Sequence, residues 1–326
     1  MMITSMFRTF EFLLFLILLA LVVVMSISSP AFLQWDNLFL ITQQMSELGI
    51  IALGMTLVIL TAGIDLSVSS IVGLSATTIG FLSFHGVNIW VAVLAGLLVA
   101  VMCGAFNAVF IARVGVSPIL VTLGTMSFFQ GIALYVTKGN AFSNFPSSYN
   151  IIGLGYVGPF PVQFLIFITL ALLIAVSLKR TAWGRSIYLI GGNRIAAQFS
   201  GINNRRVLFY VYLLVGLLCG IAAVIISSRV NTARPDLGSS YLLQSIAAVV
   251  LGGTKLSGGE GNIFGTVMGV SIFAVLSNGL NLNGVSPFLQ TVLMGAILIL
   301  VLVIRFYTQR SSHKKQRVQS SGQLTV

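Results

Sequence analysis

The chain alternates long apolar runs with short polar breaks, and the runs are helix-length. Ten can be laid out, at roughly 10–27, 39–60, 68–84, 88–112, 117–136, 162–178, 207–228, 241–252, 262–281 and 288–305. About 20 apolar residues in helical conformation cross the hydrocarbon core of a bilayer, and the ten-residue alternation of a barrel strand is missing. The eighth run is too short to cross alone and would borrow residues from its flanks. The pattern predicts an all-α polytopic membrane protein with about ten transmembrane helices. Its transmembrane domain is expected over 1–305, followed over 306–326 by a basic cytoplasmic tail that touches anionic headgroups.

One polar interruption stands apart, 179–206 (KRTAWGRSIYLIGGNRIAAQFSGINNRR), with six of the 17 Lys and Arg. The positive-inside rule puts it in the cytoplasm. With the amino terminus inside, fourteen of the 17 basic residues fall on the cytoplasmic side, Arg8, Arg113, Lys255 and five between 305 and 317 among them. Lys138, Arg229 and Arg234 fall outside. That asymmetry predicts cytoplasmic termini and an even number of spans. Within the interruption a very short helix has start and stop signals. Asn193 can cap its start, and Gly201, followed by Ile202, can end it in the left-handed conformation. Ile195, Phe199 and Ile202 share one helical face. A helix of about seven residues is not stable alone in water. It either packs on its own helix ends or is presented to a cytoplasmic partner.

Composition agrees with the pattern: 57% of residues are hydrophobic, 7% charged, and the mean hydropathy is +1.04. A soluble domain carries roughly a quarter charged residues. The net charge of +11 sits in particular loops and makes no basic domain, so nucleic acid is not an expected partner. Cys103 and Cys219 lie inside apolar runs and read as packing residues. The first run lacks a small-residue cleavage site and is expected to be retained.

Candidate chemistry is sparse. Gly63 can take the left-handed turn that ends the second span, and Asp65 or Ser67 can cap the third. An acid near hydrocarbon is by default a functional candidate, but capping is the favoured role for Asp65. Ser117 and Pro118 open the fifth span. The external loop 137–160 is long enough to be functional or a mere connector. Polar groups that could line a pathway are Asn107, Gln130, Gln244, Asn278 and Asn281, although interhelical hydrogen bonding is the commoner use of such residues. An ion-coupled transporter would need acids within the spans. Glu11 and Asp65 are placed at span ends within reach of water, which leaves Glu47 alone and argues against ion coupling. Leu256–Glu260 reads LSGGE, close to the signature of ATP-binding-cassette ATPases, but no GxxxxGK[ST] phosphate loop accompanies it. His85 and His313 match no metal or general-base pattern, and no HExxH or GxSxG motif is present. No catalytic residue and no metal site is expected.

Three stretches in register, GMTLVILTAGIDLS (54–67), GGNRIAAQFSGI (191–202) and AAVVLGGTKLSGGEGNIFGTVMG (247–269), resemble the permease subunits of bacterial ABC importers for ribose and related sugars. SNGLNLNGVSPFLQ (277–290) is similar too, and the resemblance covers nearly the whole chain. It departs at Ser69, where the family usually has glycine, and at Ser257, where alanine is expected. The resemblance implies an inner-membrane permease with the ABC importer fold. It would pair with a second copy or a related permease and work with two ATPase subunits and a periplasmic sugar-binding protein. It also implies that 191–202 is the coupling helix set into a groove of the ATPase. Gly184, Arg185, Gly192, Asn193, Ala196, Ala197, Ser200 and Gly201 would be the coupling residues, with the two alanines keeping the contact face low. ATP and Mg would be bound by the partner, and no cofactor by this chain. Ribose, allose, xylose, arabinose and autoinducer-2 relatives are built alike, so the ligand stays open within that group.

Overall fold

The computed structural model describes residues 2–286, 288–293, 295–297, 299 and 303, with side chains from residue 11 onward. The expected tail 306–326 and Arg305, Arg310, Lys314, Lys315 and Arg317 lie outside the described residues. The helices are α1 (Met2–Ser28), α2 (Trp35–Leu60), α3 (Val68–Phe84), α4 (Ile89–Ala108), α5 (Pro118–Thr137) and α6 (Ser147–Leu154). They continue with α7 (Val162–Arg180), α8 (Ala182–Gly192), α9 (Arg194–Phe199), α10 (Asn204–Val230), α11 (Ser239–Leu251) and α12 (Ile263–Leu282). Among the described residues seven helices are long and apolar enough to cross a membrane, and the shorter apolar helices are Val68–Phe84, Ser239–Leu251 and Phe288–Ile297. Each falls on one of the ten apolar runs. At 1.5 Å per residue, the 17 residues of α3 and 13 of α11 reach about 26 and 20 Å, less than the ~30 Å core. Both are wedged among longer helices.

The core forms around α2 and α10. From Ser46 to Leu60 every residue of α2 is buried, as expected of a helix that is apolar on all sides. α10 crosses α4 at Gly104 and Gly216, where a Cβ on Gly104 would meet the Tyr212 carbonyl and the Gly216 backbone. Small residues let two backbones approach, the usual device where water cannot drive helices together. The outer faces of α4 and α7 carry exposed Leu94, Leu98, Leu172 and Leu173, which suits contact with lipid tails.

Loop 137–160 is more than a connector. Its α6 docks on the end of α10: Tyr149 is fully buried, with its hydroxyl 2.7 Å from Ser227 Oγ. Ser228 Oγ donates to the Tyr149 carbonyl at 2.7 Å, and the Gly153 N–H donates to Ser228 Oγ at 2.9 Å. This clamp carries α10 as far as Val230, so Arg229 belongs to its last turn and not to the following loop, as 207–228 had implied. The charge can stay within the helix because an acid on α2 faces it.

Candidate functional site

At the end of the bundle that carries Lys179, Arg180, Arg205 and Arg206, three segments meet: the loop 61–67 after α2, α8 with α9, and the loop 252–262 before α12. The Leu60 carbonyl accepts the Gly259 N–H at 3.0 Å. Gly191 lies so close that a Cβ would collide with the Leu60 carbonyl and Gly259 N. Tyr188 donates its hydroxyl to the Gly261 carbonyl at 3.0 Å. Lys255 and Glu260 pair at 2.6 Å, while the Lys255 N–H bonds the Glu260 carbonyl at 2.9 Å. The acid of LSGGE therefore staples its own loop.

α9 rests on this platform. Asn193 Oδ1 accepts from the N–H groups of Ile195 and Ala196 at 3.0 and 2.9 Å. Gly201 has φ +80°, and the Ile202 N–H closes the helix end on the Ala197 carbonyl at 3.1 Å. Asn204 ties the helix start to α10 through the Arg194 carbonyl at 2.8 Å. Ala197, expected on the face offered to a partner, is instead buried within this chain, at 3% exposure. Residues two apart lie about 200° round a helix, so Ala197 turns inward while Ile195 and Phe199 turn out. Those two are 69% and 88% exposed. Ile202 leaves their face, because the left-handed Gly201 swings it back onto the core. Of the other coupling candidates, Arg185, Gly192, Ala196 and Ser200 are exposed, with Ser200 Oγ donating to the Ala196 carbonyl at 3.0 Å. Gly184 is buried where a Cβ would collide with Leu178, so it serves the tight α7–α8 corner.

The loop 61–67 differs from expectation in two places. The left-handed residue is Ala62, with φ 60°, and not Gly63. Gly63 is needed for space: a Cβ there would lie 2.9 Å from the Tyr212 hydroxyl oxygen. Asp65 is also not within reach of water, being 1% exposed. Its Oδ1 accepts from Ser67 N at 2.9 Å and from Ser67 Oγ at 2.6 Å, and Ser67 Oγ in turn accepts from Asn107 Nδ2 at 2.8 Å. Ser67 precedes α3 but its side chain makes no cap bond. Burial pushes the Asp65 carboxyl from 3.8 up to about 6, against the opposing effect of the Ser67 hydrogen bonds. A proton bound more tightly in the folded state favours folding as pH falls from about 6 towards 3.8, and that gain is lost as pH rises back through about 6. Asp65→Asn keeps the acceptor and removes the charge. Its melting temperature should approach and then exceed that of the wild type as pH rises through this window; a parallel pH response in both proteins would contradict the buried-carboxyl reading. Asp65→Leu should cost about 1–3 kcal/mol, because two buried donors lose their acceptor.

A second constellation lies inside the bundle. Glu47, at 0% exposure, is held by Arg229 through Nε to Oε1 and Nη2 to Oε2, the latter at 3.0 Å, and by the Tyr241 hydroxyl at 2.6 Å. Arg229 and Tyr241 border a cavity of about 320 Å³. Gln244 and Asn281 both line it. Asn278 does not; it pairs with Asn37 through two reciprocal amide bonds of 2.7 and 3.0 Å. Asn107 is committed to Ser67, and Gln130 is half-buried on α5 outside the cavity lining. Glu11 accepts from Asn262 at 3.0 Å. Sequence reasoning missed Arg229, Tyr241, Gln44 and Gln290 as cavity residues. The available signal was Glu47 itself, since an acid deep in an apolar span requires a cation.

Comparison with known proteins places this geometry. Residues 37–302 match the family described as the permease component of the branched-chain amino acid transport system. The ribose import permease of Bacillus subtilis is 41% identical over 292 residues, 89% of this chain and 91% of that protein. That of Escherichia coli K12 is 39% identical over 88% of this chain and 91% of its own. The autoinducer 2 import system permease of Photorhabdus temperata is 36% identical over 90% of each. Among solved structures, an inward-facing transporter assigned to the metal-chelate ABC type superposes with a TM-score of 0.55 at 15% identity. It covers 91% of this chain and 99% of that one, and it speaks for the fold alone.

Proposed function

This chain is a multi-pass inner-membrane permease of that transport-system family, and from this premise we propose that it forms the translocation pathway of an ATP-driven importer for a monosaccharide of the ribose type. The observation that carries the reading is the surface of α9, where Ile195 and Phe199 stand exposed on a short helix fixed from below. Large apolar side chains on a rigid, otherwise polar end are the anchors of a protein interface. The partner they fit is an ATPase subunit, which would bind ATP and Mg itself. The end bearing 179–206 then faces the cytoplasm, and the opposite end faces a periplasmic sugar-binding protein. Closure of the ATPases would push α9, and through Gly191 and Gly259 the platform, so that access to the path alternates. A second permease subunit would complete the path. Gln244 and Asn281 on the cavity wall supply hydroxyl partners. The autoinducer 2 permease relative supports autoinducer 2 as a second ligand.

The test is uptake of labelled ribose into proteoliposomes holding this permease with its ATPase and binding protein. Saturable, ATP-dependent ribose uptake is the expected result. Uptake of autoinducer 2 with ribose excluded would select the second ligand, and uptake of neither would contradict the transport reading.

A further inference from the structure

The internal cavity carries an electrostatic arrangement that passage of a sugar does not by itself require. Among its described lining residues the polar groups of Gln44, Tyr241, Gln244, Asn281 and Gln290 are neutral, and Arg229 is the one charged member. Its counter-charge is hidden. Glu47 is not part of the lining and sits behind the guanidinium at 0% exposure. Two of the five guanidinium N–H groups go to Glu47, and Arg229 keeps 23% of its side chain exposed. The wall is thus neutral in sum while still offering donors. Gln44 Oε1 is buried without a partner among the described residues. A buried acceptor of this kind wants a donor, and a ligand hydroxyl provides one, whereas a fully ionised anion offers only acceptors.

We infer that Glu47 sets the charge selectivity of this cavity: by neutralising Arg229 from behind, it makes a site for uncharged polyhydroxylated ligands and denies it to phosphorylated or other anionic ones. The volume of about 320 Å³ is at the small end of ligand pockets, as a monosaccharide needs. Without Glu47, an uncompensated guanidinium in a partly desolvated wall is an oxyanion site, since its planar fork matches phosphate geometry. The ligand class rests on the transport reading; the charge behaviour of the wall does not.

The experiment compares the purified wild type, Glu47→Gln and the double variant Glu47→Gln with Arg229→Gln by thermal unfolding. Inorganic phosphate is titrated against chloride at matched ionic strength. Glu47→Gln should be stabilised by phosphate with a midpoint at least about tenfold lower than that of the wild type, and the double variant should lose that response. Should Glu47→Gln not fold, Gln244→Arg leaves the native pair in place and adds one uncompensated cation to the same wall, and the same phosphate response is expected. Equal phosphate responses in the wild type and in the folded charge variants would overturn the inference. The uptake assay separates the two claims. Phosphate should inhibit ribose uptake by the Glu47→Gln protein and not by the wild type. A phosphate shift in a permease that moves no ribose would keep the charge role and reject the sugar.

Discussion

Arg229→Ala is expected to cost about 3–5 kcal/mol of stability, because it strips a buried carboxylate of its charged partner. Glu47 is fully buried, and its remaining partner would be the Tyr241 hydroxyl. The loss should reach beyond the pair. Glu47 lies on α2, Arg229 on α10 and Tyr241 on α11, so the cluster ties three helices together around the cavity. The same turn of α10 receives α6 through Ser228. Arg229→Lys keeps the charge but not the two-pronged geometry, and should recover only part of the loss. Replacing both partners by glutamine should be far milder than removing either, since breaking a buried pair is what costs most. Thermal unfolding in detergent across the four proteins checks the order. A single Arg229→Ala variant as stable as the double would mean that Glu47 is not held as a charged partner.

Much of this architecture was legible in the residues. Helix-length apolar runs specify where helices form, and among the described residues the runs coincide with helices because length and hydropathy are local properties. The caps at Asn193 and Gly201 were readable for the same reason: each depends on one side chain and its neighbours. What sequence could not supply was which way a helix faces. Ala197 and Phe199 are both apolar, and only the packing of α9 against its own chain decides that the smaller turns in and the larger out. Gly63 shows a related limit. A glycine after a span suggests a backbone requirement, whereas the constraint comes from Tyr212, remote in sequence. The position of Asp65 between two spans suggests contact with water, but α8 and the loop 252–262 pack on that end through Gly191, Gly258 and Gly259. Arg229 reads as a loop residue because a charge usually ends a span; its partner lies 182 residues away, beyond any local pattern.

Phe199→Asp is expected to abolish coupling with the fold intact, and Ala197→Arg to damage the fold itself. Phe199 touches almost nothing within the chain, so an aspartate there meets no internal cost. If its ring fills a pocket of the ATPase, losing it removes an aromatic anchor worth about 2–4 kcal/mol, a weakening of roughly thirtyfold or more. Ala197 is sealed against the core, and a guanidinium cannot fit there without displacing α9 or burying an unpaired charge. The decisive measurement is the amount of ATPase retained by Phe199→Asp permease, extracted from membranes at wild-type abundance. The expected result is near-complete loss of the ATPase, with Ile195→Asp behaving alike and loop variants such as Tyr156→Asp retaining it. Undiminished retention of the ATPase by the Phe199→Asp and Ile195→Asp proteins would contradict docking through α9.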